Sequence, residues 1–467
     1  MHASVHVSVD DRTRLSLTLE RGNYCQSSTM SHPKPPTGGN RLLKLAGMTA
    51  AVATDYARGR IKRLVQSEEQ ARADQVRQMQ RMGEQIASTL GELKGAAMKL
   101  GQMASLAADI MPKELAGALQ TLQKQAPPVP FSVIEQQIQS EFDQPIERLF
   151  ERFEPEPFAA ASIGQVHRAR VDGQEVICKV QYPGVDNAVD SDMRHLKLAL
   201  LASGMLRVDK KALDAVFNEI SQRMHEELDY CNESDNVRAF RAFHRRHPFV
   251  RVPEVIGHRS AKRVLTLAFE PGDQIRDFEA LGYAQQERDR CGLHLWLAME
   301  SQIYDFGALH ADPNPANFAF KRDGTVIMYD FGCVKRLDPG VADGYRKLVV
   351  NALAENYDAV EETLRALHVR RDVGEVSFSF YKRVRDWLAL PFLAAEDFDF
   401  GSARFAEDAW NKLSAESLKH VSSFQPAPEV VFLNRTLAGH YASLRSMRAR
   451  VPVMSLLRQR FPELTGS

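Results

Sequence analysis

The stretch His310-Ala311-Asp312-Pro313-Asn314-Pro315-Ala316-Asn317, followed beyond a short apolar run by Asp330-Phe331-Gly332, decides how the rest of the chain is read. Its order is a carboxylate, an amide five residues later, and a second carboxylate just past the strand-type segment Thr325 to Tyr329. Phosphoryl transfer from a nucleotide asks for this set, because a magnesium ion takes hard oxygen ligands beside the phosphate oxygens whose charge it neutralises. On this reading Asn317 and Asp330 hold metal, and Asp312 orients or deprotonates a nucleophile. An Asp-Phe-Gly tripeptide alone is an ordinary turn after a strand; the joint order and spacing carry the inference.

Such chemistry also needs a cation on a strand to hold the α and β phosphates. Val166 to Val171 and Glu175 to Val180 are strand-type runs with Asp172-Gly173 between them, and this Asp-Gly pair predicts a two-residue β-hairpin turn with Lys179 near the end of the second strand. Apolar neighbours on both sides would bury this ammonium, and a buried ammonium needs an anionic partner. Glu233, in the helix predicted over Lys211 to Phe243, is the best candidate; Glu226, Glu227 and Asp229 lie in the same acidic stretch, and sequence alone does not rank them. Before the hairpin, Ala159-Ala160-Ala161-Ser162-Ile163-Gly164-Gln165 stands where a glycine-rich loop would cover the phosphates. Small residues permit close backbone approach, but alanine resists the positive φ that glycine accepts, so a stiffer loop is expected.

Farther out, Ser31 to Asn40 is a Pro/Gly linker, and the first 29 residues lack a signal peptide's apolar core, so Met30 is the expected start. Arg41 to Arg63 is weakly amphipathic and basic, which admits peripheral membrane contact. Ser67 to Leu119 reads as helical, with Leu90, Leu93, Ala97, Leu100, Met103 and Leu106 at helical spacing, and Phe131 to Phe150 reads as one amphipathic helix. Val185 to Arg207 is predicted helical, Val250 to Ile256 and Arg263 to Phe269 are predicted strands, and helical patterns dominate after Gly272. Ala427-Pro428-Glu429 reads as a helix start with proline in the first turn.

The 467 residues are 44% hydrophobic and 26% charged, which is globular and excludes collagen-like and wholly disordered chains. Lys plus Arg and Asp plus Glu each count 60, so no global field draws the chain to nucleic acid, and no nucleic-acid partner is expected. Five cysteines without a CxxC pair argue against a disulfide framework or zinc cluster and predict a reducing, cytoplasmic setting. No apolar run approaches the roughly 20 residues of a spanning helix.

Taken together the motifs resemble the UbiB-like atypical kinases, also called the AarF or ADCK family. The alanine run continues as SIGQVH over Ser162 to His167, the strand lysine as KVQYPG over Lys179 to Gly184, the family's ExD element matches Glu227-Leu228-Asp229, and KxGQ matches Lys99-Leu100-Gly101-Gln102. The resemblance implies an α+β, protein-kinase-like bilobal fold, with a small mixed β-sheet lobe, a larger helical lobe and an N-terminal helical KxGQ extension. The corresponding divisions are 1–40 as a disordered or misassigned start with linker, 41–130 as the extension, 131–270 as the N-lobe and 271–467 as the C-lobe. It implies ATP and Mg2+ as cofactors, Glu233 as the partner of Lys179, and nucleotide-facing roles for Ala159, Ala160, Ala161, Ser162, Lys179, Lys99, Gln102, Glu227 and Asp229. Because the family's KxGQ segment covers the cleft where a peptide would bind, the implied activity is an ATP-dependent kinase or ATPase that supports ubiquinone or related isoprenoid lipid biosynthesis. A quinone precursor or other isoprenoid lipid and quinone-biosynthesis proteins are the implied partners. The alternative is a nucleotide-gated binding module that acts without turnover. Two departures stand in the catalytic stretch, Asn314 for the family's histidine and Ala316 for its glycine. At the hinge-entering strand Ala268 stands where the family usually has an acid.

Overall fold

A computed structural model of the chain describes residues 7–10, 14–17, 129–161, 163–185, 228–394, 396–402, 420–425 and 427–465, with isolated positions between 47 and 226. The chain divides into two compact units, one of Arg21–Asp235 and Glu254–Phe269, the other of Met1–Glu20, Asn236–Pro253 and Glu270–Ser467. Within the second, Val7–Asp10 (β1) and Arg14–Leu17 (β2) pair antiparallel with Val9 opposite Leu15. Val7 and Val9 alternate with Ser8 and Asp10, which is strand patterning.

In the first unit, Phe131–Phe142 (α1) ends at Asp143, in the left-handed region with φ 52°, and Ile146–Leu149 (α2) starts after Pro145. The single helix expected through Phe150 is therefore two. Pro145 cannot donate an N–H and pushes Gln144 out of the α region. Arg152–Phe153 (β3), Ala159–Ala161 (β4), Gly164–Val171 (β5), Gln174–Gln181 (β6) and Val264–Ala268 (β8) form one antiparallel sheet of order β3-β5-β6-β8, with β4 also on β5. The intervening β7 (Val250–Arg251) belongs to the other unit. The β5–β6 hairpin closes with Val171 opposite Gln174, and the two-residue Asp-Gly turn read from sequence has positive φ at both positions, Asp172 (φ 51°) and Gly173 (φ 74°), as a type I′ turn does. Val176, Cys178 and Val180 alternate along β6 and are buried, α1 packs on that strand, and Ile134 and Ile138 are fully buried. Period two turns Lys179 and Gln181 to the opposite face.

In the second unit the helix Tyr230–His244 (α3), begun in the first, leads to the three-stranded sheet of Phe318–Phe320 (β10), Val326–Met328 (β11) and β7, which pairs parallel with β11. Gln285–Ser301 (α4) precedes Ala308–His310 (β9), which pairs with Val334–Arg336 (β12). There follow Pro339–Leu353 (α5), Tyr357–Ala366 (α6), Phe378–Leu388 (α7), Leu390–Leu393 (α8), Phe398–Asp399 (β13), Pro428–Met447 (α9), Arg450–Val451 (β14) and Val453–Arg460 (α10). This mixed composition, a five-stranded sheet unit and a mainly helical unit with small sheets, is that of a kinase-like α+β fold. No helix among the described residues is long and apolar enough to cross a membrane.

Candidate active site

Two antiparallel pairings gather the carboxylates and the amide. In β9–β12, His310 faces Val334, and the Ala311 N–H donates to the Cys333 carbonyl at 2.9 Å, so Asp312 leaves one strand where Gly332 approaches the other. In β10–β11, Phe318 faces Met328, and the Tyr329 N–H donates to the Asn317 carbonyl at 3.0 Å, which sets Asn317 across from the residue before Asp330. The Asn317 amide Nδ2 donates to Asp312 Oδ2 at 3.0 Å and to its carbonyl at 3.3 Å, while Asp330 Oδ1 accepts from the Gly332 N–H at 3.0 Å. Asn314, where the family usually has histidine, caps the 3₁₀ turn Pro315–Asn317 by accepting from the Ala316 N–H at 3.1 Å.

The loop is anchored from behind. Phe331 is fully buried, with ring centroids 5.0 Å from Phe240 and 5.1 Å from His310, and its carbonyl accepts from Asn236 Nδ2 at 3.0 Å. His310 is buried too, and its N–H donates to Gln302 Oε1 at 3.0 Å. Burial holds its imidazole below the usual histidine range, against the pull of the Asp312 and Asp330 charges. A neutral His310 fits a packing role better than proton transfer. Sequence reasoning did not find Gln302 or Asn236, because neither carries a local signal.

In the other unit Lys179 Nζ lies 2.5 Å from Glu233 Oε1, with the two side chains 10% and 2% exposed. Glu233, the best candidate in the sequence, lies in the first turn of α3, and Glu227 lies outside the described residues. By the strand period Lys179 and Gln181 share one face of β6, and Gln181 Nε2 donates to the Leu228 carbonyl at 2.8 Å, fastening the chain just before α3. The Tyr230 ring centroid lies 5.4 Å from the ammonium. Asp229 is exposed, and its Oδ1 accepts from the Asn232 N–H at 3.0 Å, so it caps the start of α3. The alanine run expected as a loop is strand β4 as far as Ala161, with Ala159 opposite Val166 and Ala160 opposite Gln165; pairing along the β5 edge overrides alanine's low strand preference. Ala268, at the family's hinge acid position, is buried, and its N–H donates to the Glu254 carbonyl at 2.8 Å. Lys99, Gln102, Ser162 and Glu227 lie outside the described residues, as do nearly all of the stretches 41–63, 67–119 and 185–207.

The family described as "ABC1 atypical kinase-like domain" matches residues 121–364, just over half of the chain. "Protein ACTIVITY OF BC1 COMPLEX KINASE 8, chloroplastic" of Arabidopsis thaliana is 32% identical over 288 residues, 60% of this chain and 38% of the plant protein. "Atypical kinase COQ8B, mitochondrial" of Rattus norvegicus is 28% identical over 387 residues, 81% of this chain and 71% of that protein. The chain thus spans well under two thirds of the plant relative's length. Among solved structures, the complex of Rv3197 with erythromycin from Mycobacterium tuberculosis is similar with a TM-score of 0.62 at 27% identity, over 86% of this chain and 100% of that one.

Proposed function

From the premise that the chain belongs to the ABC1 atypical kinase-like family, the one also called AarF or UbiB, we propose that it binds Mg-ATP and transfers or hydrolyses the terminal phosphoryl group. The observation that supports this best is the hydrogen bond from Asn317 Nδ2 to Asp312 Oδ2, with the Asn317 backbone paired to Tyr329, the residue before Asp330. The donor set suits magnesium, which favours carboxylate and amide oxygens and leaves its other positions to phosphate oxygens and water. With Nδ2 committed to Asp312, the Oδ1 of Asn317 is the atom for a cation, and Asp330 supplies a carboxylate. Bound with its metal, the nucleotide supplies the phosphoryl group. Asp312, held by Asn317, orients the attacking hydroxyl and accepts its proton. Lys179, held by Glu233, binds the α and β phosphates.

The acceptor in this reading is a small hydroxylated lipid, a quinone precursor or related isoprenoid phenol, in service of quinone biosynthesis. The family resemblance supports it, as does the expected placement of Lys99 to Gln102 across a peptide's route. The test is phosphate release from Mg-ATP by the full chain beside Asp312→Asn, with and without anionic vesicles and a substituted phenol. Turnover that rises with phenol and vesicles and falls in Asp312→Asn supports the reading. Magnesium-dependent nucleotide binding with no turnover under any condition would replace it with the gated binding module.

A further inference from the structure

The helix α9 begins at Ala427-Pro428-Glu429 and lies wholly beyond residue 364, where the family match ends. Its inner face nevertheless meets the catalytic stretch at successive turns. A Cβ placed on Gly439 would lie 2.3 Å from Pro313 Cγ and 2.4 Å from Pro313 Cβ, so the helix backbone rests directly on the ring that follows Asp312. The neighbouring His440 is buried, with its ring 5.4 Å from Phe318, the residue after Asn317. Two turns earlier the Phe432 ring lies 5.2 Å from Lys335 Nζ of β12. Asn434 Oδ1 accepts from the Tyr345 hydroxyl at 2.6 Å, tying the helix to α5.

A glycine inside a 20-residue helix is unfavourable, by about 1 kcal/mol relative to alanine. Its presence is accounted for by the contact, since carbon atoms pack at about 3.5–4.0 Å and a methyl at 439 would have to push Pro313 away by about 1 Å. Proline has a fixed φ and a rigid ring, and a second proline follows at 315, so the loop cannot absorb that push by side-chain rotation. The displacement passes to Asp312 and, through its hydrogen bond, to Asn317.

We propose that α9 is a positioning element of the active site and that Gly439 is its positioning residue, seating Pro313 so that Asp312 and Asn317 keep their mutual geometry. The kinetic consequence rests on the phosphoryl-transfer reading; the seating itself does not. A misplacement of about 1 Å at a reacting group costs about 10²-fold in rate.

The experiment compares full-length wild type, Gly439→Ala, Ala438→Gly, Pro313→Gly and the pair Gly439→Ala with Pro313→Gly. Phosphate release, Mg-ATP affinity, thermal midpoint and hydrogen exchange are measured for each. Gly439→Ala is expected to lower kcat by about 10²-fold with ATP affinity held. Ala438→Gly, at an exposed position of the same helix, is expected to lower the midpoint and leave kcat intact. In the Pro313→Gly background, where the ring is gone, Gly439→Ala is expected to lose most of its effect. A Gly439→Ala protein that keeps kcat, or loses it equally in both backgrounds, overturns the proposal. If wild type shows no turnover, the functional reading fails on its own, and the seating is judged by exchange. The Ala316 and Asn317 amides, both bonded to Asn314, should then exchange faster in Gly439→Ala and not in Ala438→Gly. Unchanged exchange there overturns the seating as well.

Discussion

Removing the Glu233 carboxylate alone should harm the protein more than removing both charges of the pair. In Glu233→Ala the ammonium of Lys179 stays on a side chain only 10% exposed, in a strand flanked by β5 and β8, without the oxygen that now sits 2.5 Å away. Breaking one side of a buried ion pair costs about 3–5 kcal/mol, because the remaining charge was taken from water against its partner's field. Replacing both members by apolar residues of similar volume removes the desolvation cost with the charges and is often neutral or stabilising. Glu233→Ala is therefore expected to lose about 3–5 kcal/mol, and Lys179→Met combined with Glu233→Leu to stay near wild type in stability. Mg-ATP binding should be weakened in both. The assay that reads the unit carrying the pair is denaturant-dependent hydrogen exchange of the β6 and β8 amides. A double variant destabilised by the sum of Lys179→Met and Glu233→Leu, each measured alone, would refute the reasoning.

Asp312→Asn keeps an acceptor for Asn317 Nδ2, so it should retain fold and Mg-ATP affinity while phosphate release falls by about 10²–10⁴-fold, read as a kcat effect without a matching change in Kd. Burial pushes the Glu300 carboxyl up to about 7, although Arg460 Nε lies 3.1 Å away. A folded value above the ordinary 4.5 means that the stability tied to protonated Glu300 is full below about 4.5 and is lost as pH rises through about 7. Glu300→Gln should accordingly gain on wild type across that window by up to about 3 kcal/mol, seen in the pH dependence of the thermal midpoint, and a pH-independent difference would contradict it. Gly173→Val puts a branched side chain at φ 74° and should destabilise the β5–β6 hairpin by about 1–2 kcal/mol, measured by exchange of the β5 and β6 amides.

What sequence revealed and what it hid follow from how far each interaction reaches along the chain. Asp172-Gly173 was legible because a type I′ turn is a property of two residues. The stretch from His310 to Gly332 was legible because two short antiparallel pairings fix the spacing of Asp312, Asn317 and Asp330. The partner of Lys179 was legible only as a choice among four acids, since the selection depends on which turn of α3 faces β6 across a separation of 54 residues. The break at Asp143 was carried by Pro145, whose effect on Gln144 outweighs the amphipathic pattern that continues through it. Strand β4 was hidden because three alanines have no strand signature and become a strand through their neighbour. Gln302, Asn236 and Gly439 act through contacts formed only once distant segments are packed. The roles that the resemblance gives to Lys99, Gln102, Ser162 and Glu227 remain proposals carried by the family's motifs.

The measurement that bears most directly on the central claim is equilibrium binding of ATP to the full chain with Mg2+ and with a chelator in its place, for wild type, Asp330→Asn and Lys179→Met. The account predicts binding by wild type that strengthens with Mg2+, loss of that magnesium dependence in Asp330→Asn, and weakened binding in Lys179→Met in either condition. Absence of binding by folded wild type, or binding that both variants leave unchanged, would contradict it.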